Sequence, residues 1–223
     1  MMKLVLSGVL FACFMLTAMA QHEVPEPGVF QAATKGLPHF VGKIPDGQAQ
    51  NYGFDDNAAA ESSSLGPPYR LYVISPKALA TYKANEPIES AMTCGSTWYF
   101  PVKNNDKVCA ILVIDWMQDH LEAVSIGYAG LARELEQMER TWPSRDGYSP
   151  RLAVLFQASQ YFFHIPLNGV DNLTALSPAP GNVKLSAAET EKRYWKLTKL
   201  GDISDDLKIK IENNINSFRR TAP

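Results

Sequence analysis

The feature that most constrains the fold is an unbroken run of seven apolar residues, Val108 to Ile114, in the stretch KVCAILVIDW. A run of this length without helical spacing is typical of a strand that is covered on both faces. The polar turn Asn104-Asn105-Asp106 precedes it, after the β-prone stretch TWYFPVK. The sequence therefore predicts a hairpin whose second arm is central. Pro101 lacks a backbone N–H, so we expect the first arm at an edge or a bulge.

The rest of the middle region predicts further strands and one clear helix. Strands are expected over RLYVI (70–74), over HLEAVSI from His120, and over 151–166, which reads as a bent strand or tight hairpin. The stretch YAGLARELEQMERTW carries an apolar stripe at spacings of four, three and four, formed by Leu131, Leu135, Met138 and Trp142. We predict an α+β domain over residues 51–166, with an antiparallel sheet of about five strands and a helix packed on one face.

Both ends of the chain read differently. Residues 1–20 have the pattern of a secretory signal peptide, with Lys3, an apolar core and an Ala-Met-Ala cleavage site. We therefore expect cleavage after Ala20 and a periplasmic or extracellular protein. Residues 21–50 are rich in Pro, Gly and Gln and predict a flexible leader.

The C-terminal part divides into a loop and helices. Residues 167–185, rich in Asn, Gly, Pro and Ser, predict a loop. The capping box Ser186-Ala187-Ala188-Glu189 predicts a helix that runs to about Leu200, and Ser204-Asp205-Asp206 can start another. We therefore interpret residues 186–223 as a helical C-terminal extension.

Composition and motifs argue against several partners and cofactors. Removal of residues 1–20 takes away only Lys3 from 21 basic and 23 acidic side chains, so no basic surface points to nucleic acid. The sequence has no second long apolar stretch, so we expect no stable membrane insertion after cleavage. The sequence has no C-x-x-C or H-E-x-x-H metal pattern, no P-loop and no dinucleotide glycine motif. We therefore predict neither a metal site nor a cofactor.

The stretch TCGSTWYF resembles the Cys-Gly-Ser-Cys-Trp motif of papain-like proteases, but it departs at the decisive position. The nucleophile of that motif directly precedes the aromatic residue, where this chain has Thr97. Cys94 matches the other cysteine of the motif. A hydrolase built on Cys94 remains a second alternative, and its candidate partners are the bases His120 and His164 and the acids Asp115 and Asp119.

Cys94 and Cys109 are the two cysteines that follow the signal peptide, and they form a candidate disulfide. The predicted hairpin places Cys109 opposite about Phe100. Cys94 would then lie roughly 20 Å further along an extended strand, whereas bridged Cα atoms lie within ~7 Å. The bridge therefore requires the CGS segment to double back.

Aromatic residues are the remaining candidates for a binding surface. The candidate binding residues are Trp98, Tyr99, Phe100, Trp116 and Tyr128. The leading hypothesis is an exported, non-enzymatic module that binds a peptide, a protein or a cell-envelope component, with a peptide added as a strand at an exposed TWYFPVK edge. The alternative is a small-molecule sensor or carrier whose apolar pocket lies between helix and sheet, lined by Trp98, Trp116 and Tyr128.

Two motifs suggest a relationship. LGPPYRLYVI contains a Leu-Gly-x-Pro-Tyr start, and SIGYAGLARELEQM contains an Ile-Gly-x-Ala-x-Leu-Ala helix entry. With the hairpin between them, they resemble an uncharacterised group of secreted bacterial proteins over about residues 51–166. The resemblance implies a bacterial exported domain and carries no activity or site residue.

Overall fold

The computed structural model describes residues 25–84, 86–167, 170–176 and 196–221. The described helices are α1 (Pro27–Val41), α2 (Asn57–Glu61), α3 (Pro76–Thr81), α4 (Ala129–Thr141) and α5 (Leu200–Thr221). The described strands are β1 (Ser64–Leu65), β2 (Tyr69–Ile74), β3 (Met92–Asn104), β4 (Lys107–Met117), β5 (His120–Gly127), β6 (Arg151–Leu155), β7 (Gln160–Leu167) and β8 (Val170–Leu176).

All the strands belong to one sheet of eight strands, so the α+β class is confirmed but the predicted size is wrong. The order is β5-β4-β3-β2-β6-β7-β8, and β1 pairs with β3. The sheet is also not purely antiparallel, because β2 and β6 run parallel. The chain leaves β2, builds the β3-β4-β5 meander and α4, and returns with β6 on the other side of β2. That return adds β6, β7 and β8 to one edge.

The predicted hairpin is present, and β4 is buried from Val108 to Ile114. β3 is not an edge strand, however, because Trp98 pairs with Arg70 on β2 and with Ile114 on β4. Pro101 is tolerated there because it lies between the segments of β3 that pair with β1 and with β2. The carbonyl of Pro101 accepts a hydrogen bond from Gly66 N at 2.6 Å.

Helices cover both faces of the sheet. The α4 stripe is buried as predicted and packs on β3 and β4. On the opposite face α1 packs on β4 and β5, with Val29, Ala33 and Val41 buried. The prediction of a flexible leader over 21–50 is therefore wrong for α1, because its small and apolar side chains form a core layer. The remainder of that face is covered by α3 and α5.

The C-terminal region also differs from the prediction. β8 occupies much of the predicted 167–185 loop, and its pairing with β7 gives those residues backbone partners. The sequence predicts that one helix ends near Leu200 and that another begins at Ser204. In the structure α5 begins at Leu200 and continues without a break through Ser204. The predicted signal peptide and the stretch 177–195, which contains the capping box at Ser186, lie outside the described residues. None of the described helices is long and apolar enough to cross a membrane.

Candidate functional site

The five aromatic residues predicted to bind do not form one patch. Trp98 and Phe100 are buried on the α1 face of β3, and Tyr99 is buried on the α4 face, as strand alternation requires. Trp116 pairs with Leu121 and so lies on the α1 face, where it is 52% exposed. Tyr128 directly precedes α4 and is also 52% exposed.

Tyr128 belongs instead to a cluster that we call the tyrosine surface, formed by Tyr99, Tyr128 and Tyr161. The ring of Tyr128 stacks on that of Tyr99, with centroids 6.3 Å apart and an interplanar angle of 23°. The Tyr99 and Tyr161 hydroxyl oxygens lie 3.2 Å apart. These two residues lie on β3 and β7, and β2 and β6 lie between those strands. Both side chains therefore lie along the sheet and meet above β2 and β6.

The backbone fixes the position of Tyr128. Its φ is 56°, in the left-handed region that a bulky residue seldom adopts, and Gly127 before it has a φ of 143°. These two residues turn the chain from the end of β5 into α4. The turn brings the Tyr128 ring over Tyr99 while half of the side chain stays exposed. The ring is therefore both accessible and held in place.

A carboxylate borders the tyrosine surface. Asp115 accepts hydrogen bonds from Ser96 Oγ at 2.9 Å, from Thr97 Oγ1 at 2.8 Å and from Trp116 N at 2.8 Å. It lies two residues along β4 from Val113, the direct partner of Tyr99. Asp115 is thus a diagonal neighbour of Tyr99 on the same face. The altered position of TCGSTWYF, Thr97, serves to orient this carboxylate.

Two further acids lie at the adjacent end of the β4-β5 hairpin, Asp119 in the turn and Glu122 on β5. Glu122 pairs with Asp115 across the strands, and its carboxylate lies 3.3 Å from His120 Nε2. Asp119 lies 3.2 Å from His120 Nδ1, and this hydrogen bond is the main cause that raises the pKa of His120 and lowers the pKa of Asp119. Asp115 and Asp119 therefore have separate hydrogen-bond partners.

The hydroxyls of Tyr99 and Tyr161 are neutral groups at physiological pH. Burial is the main cause that raises the pKa of Tyr99 well above its ordinary value, and the hydrogen bond with Tyr161 adds to it. Burial likewise raises the pKa of Tyr161, although the bond from Tyr99 opposes the shift. Both hydroxyls can donate and accept hydrogen bonds, and neither is suited to act as a base.

The candidate hydrolase residues are not brought together. Cys94 pairs with Tyr72 on the face that packs against α3, whereas His120 pairs with Met117 on the opposite face. His164 is fully buried on β7, and its Nε2 lies 3.9 Å from Glu89 Oε1. Among the described residues, no group of three or more His, Cys, Asp or Glu could hold a metal ion.

The candidate disulfide and the candidate carrier pocket are also not assembled. Cys94 is an exposed free thiol opposite Tyr72, and Cys109 is a buried free thiol at the bulge of β4. Trp98 and Trp116 lie on the α1 face, whereas Tyr128 stacks on the α4 face. These three side chains therefore do not line a common pocket.

Two features of the surface were not predicted from the sequence. Tyr161 is not among the predicted binding residues, because nothing local links it to Tyr99, 62 positions away. A groove of about 700 Å³ between α5 and the turn at 156–159 was missed as well. Its signal was the apolar stripe at spacings of four, four and three, formed by Leu207, Ile211, Ile215 and Phe218.

Comparisons of this chain with protein-family models, with curated proteins and with solved structures found no match. The tyrosine surface and the groove are therefore interpreted from their own geometry alone.

Proposed function

We propose that the protein is an exported, non-catalytic binding module that holds a peptide, a protein or a cell-envelope component against the tyrosine surface. One observation carries the proposal. Tyr128 is half exposed, yet its backbone turn and its stacking on the buried ring of Tyr99 hold it in a defined position. A large side chain that is exposed and already ordered loses little conformational entropy when a ligand packs on it.

The chemistry of the surface fits a non-covalent role. A tyrosine ring offers an apolar face for packing, and its hydroxyl offers a hydrogen bond at the rim. Tyr99 and Tyr161 stay protonated, so the surface supplies contacts rather than a base. Binding of this kind requires no convergent nucleophile, base and acid.

The acids beside the surface select the first ligand class to test. Asp115 lies beside Tyr99 on the α4 face, and Glu122 pairs with Asp115 across the strands. A lysine or arginine side chain can pack its cation on a tyrosine ring and pair with a carboxylate nearby. We therefore expect peptides that carry a basic residue next to an apolar or aromatic one to bind best.

The test is a peptide-display selection on the purified protein, followed by calorimetric titration of the selected peptides. Tyr128→Ala should weaken their binding by about tenfold or more, since interface tyrosines often contribute over ~1 kcal/mol. Tyr128→Phe keeps the ring and should stay within about threefold. Phe30→Ala is the matched control, because Phe30 is a 48% exposed aromatic residue on α1, and it should leave affinity unchanged.

Two results would contradict the proposal. Selected peptides that bind Tyr128→Ala as well as the wild type would place the binding site elsewhere. A larger loss with Phe30→Ala than with Tyr128→Ala would assign binding to the α1 face. Export is tested separately by mass spectrometry of the secreted chain, whose N-terminus should be Gln21.

A further inference from the structure

The C-terminal half of α5 carries exposed apolar side chains. Leu207 and Ile211 are its last buried side chains, at 6% and 7% exposure, and every side chain from 212 to 219 is exposed. The apolar stripe continues along this end through Ile215 and Phe218, which are 39% and 75% exposed.

This end of α5 is held beside an apolar groove. Asn214 Nδ2 donates to the Gln157 carbonyl at 2.9 Å, and Lys210 Nζ donates to Gln160 Oε1 at 3.1 Å. Phe156, 53% exposed, lies across the groove from Ile215. These bonds fix α5 against the 156–159 turn, so the groove is a formed feature of the surface.

The charges on this end follow a self-complementary pattern. Glu212 and Arg219 are seven positions apart, which places them on one face of the helix about 10.5 Å apart along its axis, with Ile215 between them. They are too far apart to pair with each other, and neither has an ion-pair partner in the part of the chain that the structure describes. An acid and a base that flank an apolar centre match their own reversed copy.

We propose that this surface is the interface between two copies of the chain, which pack their α5 ends antiparallel about a twofold axis. Phe218 of each copy inserts into the groove beside Phe156 of the other copy, and Glu212 pairs with Arg219 of the second copy. The partner is a second copy because an antiparallel copy presents Arg219 to Glu212 and Glu212 to Arg219, with the Ile215 side chains between the two pairs. The few exposed apolar side chains can bury much less area than the ~800 Å² per partner of a standard interface. We therefore expect a weak dimer, with a Kd on the order of tens of micromolar.

Sedimentation equilibrium of the purified protein from about 5 to 200 µM tests the dimer across its expected Kd. The weight-average mass should rise toward twice that of the monomer, and the rise should be smaller in high salt because the rim pairs are screened. Phe218→Asp should remain monomeric throughout. Phe30→Asp introduces the same charge at a half-exposed aromatic residue on α1 and should dimerise like the wild type.

A charge exchange tests the antiparallel arrangement. Glu212→Arg and Arg219→Glu should each weaken the dimer by about tenfold, whereas the double variant restores both pairs and should return within about threefold of the wild type. A monomer at every concentration, or a dimer that survives Phe218→Asp, would overturn the interface. Loss of the dimer in Phe218→Asp without rescue by the double variant would overturn the antiparallel pairing. Far-ultraviolet circular dichroism of each variant confirms that α5 is retained.

Discussion

The helices α1 and α4 cover opposite faces of the same strand, β4, but they do so in different ways. α4 fills its face with the large side chains Leu131, Leu135, Met138 and Trp142 and turns charged residues to solvent. α1 buries mainly small or β-branched residues, among them Ala32, Ala33 and Gly36. A Cβ atom at Gly36 would overlap the Cβ of Ala123 on β5, so the α1 backbone lies very close to the sheet.

This difference explains why α4 can be predicted from the sequence and α1 cannot. An amphipathic stripe of large side chains is a strong periodic signal. Glycine and proline are read as breakers, yet Pro27 begins α1 at a position where its missing N–H and fixed φ are compatible with a helix. Gly36 is present because it allows close approach of helix and sheet. In α1 the small residues are therefore packing residues.

The largest effect is expected from removal of side-chain volume under α4. Leu135→Ala deletes a side chain that is 1% exposed and leaves a cavity against β4, which should lower the free energy of unfolding by about 2–5 kcal/mol. Urea denaturation followed by circular dichroism measures the loss. A change below about 0.5 kcal/mol, the level of an exposed position, would show that α4 is not packed as described.

A smaller effect of opposite origin is expected from added volume under α1. Gly36→Ala should destabilise the protein by about 1–3 kcal/mol, although alanine favours helices over glycine by ~1 kcal/mol. Gly28→Ala is the matched control on the same helix, because its added Cβ would meet only Leu121 Cδ1 at 3.6 Å, an ordinary contact. The same urea series should show Gly28→Ala neutral or slightly stabilising. If Gly36→Ala stabilises as well, helix propensity outweighs the close approach and the comparison fails.

The parts of the fold predicted correctly carry local signals. The β3-β4 hairpin depends on one turn and one apolar run, and α4 depends on one stripe. The parallel pairing of β2 with β6 joins Leu71 to Leu152 across the whole meander, and no local pattern encodes that. The sequence predicts a loop where β8 lies, because Asn and Gly residues dominate that segment. The pairing with β7 that makes it a strand is a tertiary contact.

The candidate site shows the same limit. Tyr128, one of the predicted binding residues, lies on the tyrosine surface, but alternation along β3 separates Trp98 and Phe100 from Tyr99. The tyrosine surface depends on a contact between β3 and β7, which only the tertiary fold creates. The backbone turn at Gly127 and Tyr128 was visible as a glycine before a helix, but the sequence does not specify where the ring would point.

The smallest predicted effect, per residue, is a pH dependence of stability that arises on the α4 face. Tyr69 and Tyr99 are both buried on the α4 face, where burial raises the pKa of each hydroxyl well above its ordinary value near 10. The charge of Glu139, to which the Tyr69 hydroxyl donates at 3.3 Å, raises the pKa of Tyr69 further. A raised pKa means that the folded protein keeps these protons after the unfolded chain has released them. Their contribution to stability is therefore complete below pH 10 and is lost as pH rises above it.

By pH 10.5 the loss should be about 0.8 kcal/mol for each of these two tyrosines, measured as the fall in the free energy of urea unfolding from its value at pH 9. Tyr99→Phe should be less stable at neutral pH, because it removes the hydroxyl partner of Tyr161, but its decline above pH 9 should be smaller by one tyrosine's share. The absorbance change at 295 nm should show the same tyrosine titrating only as the protein unfolds. An equal decline in both proteins would mean that Tyr99 ionises in the folded state. That result would contradict the description of the α4 face as filled by large side chains, because water would then reach its tyrosines.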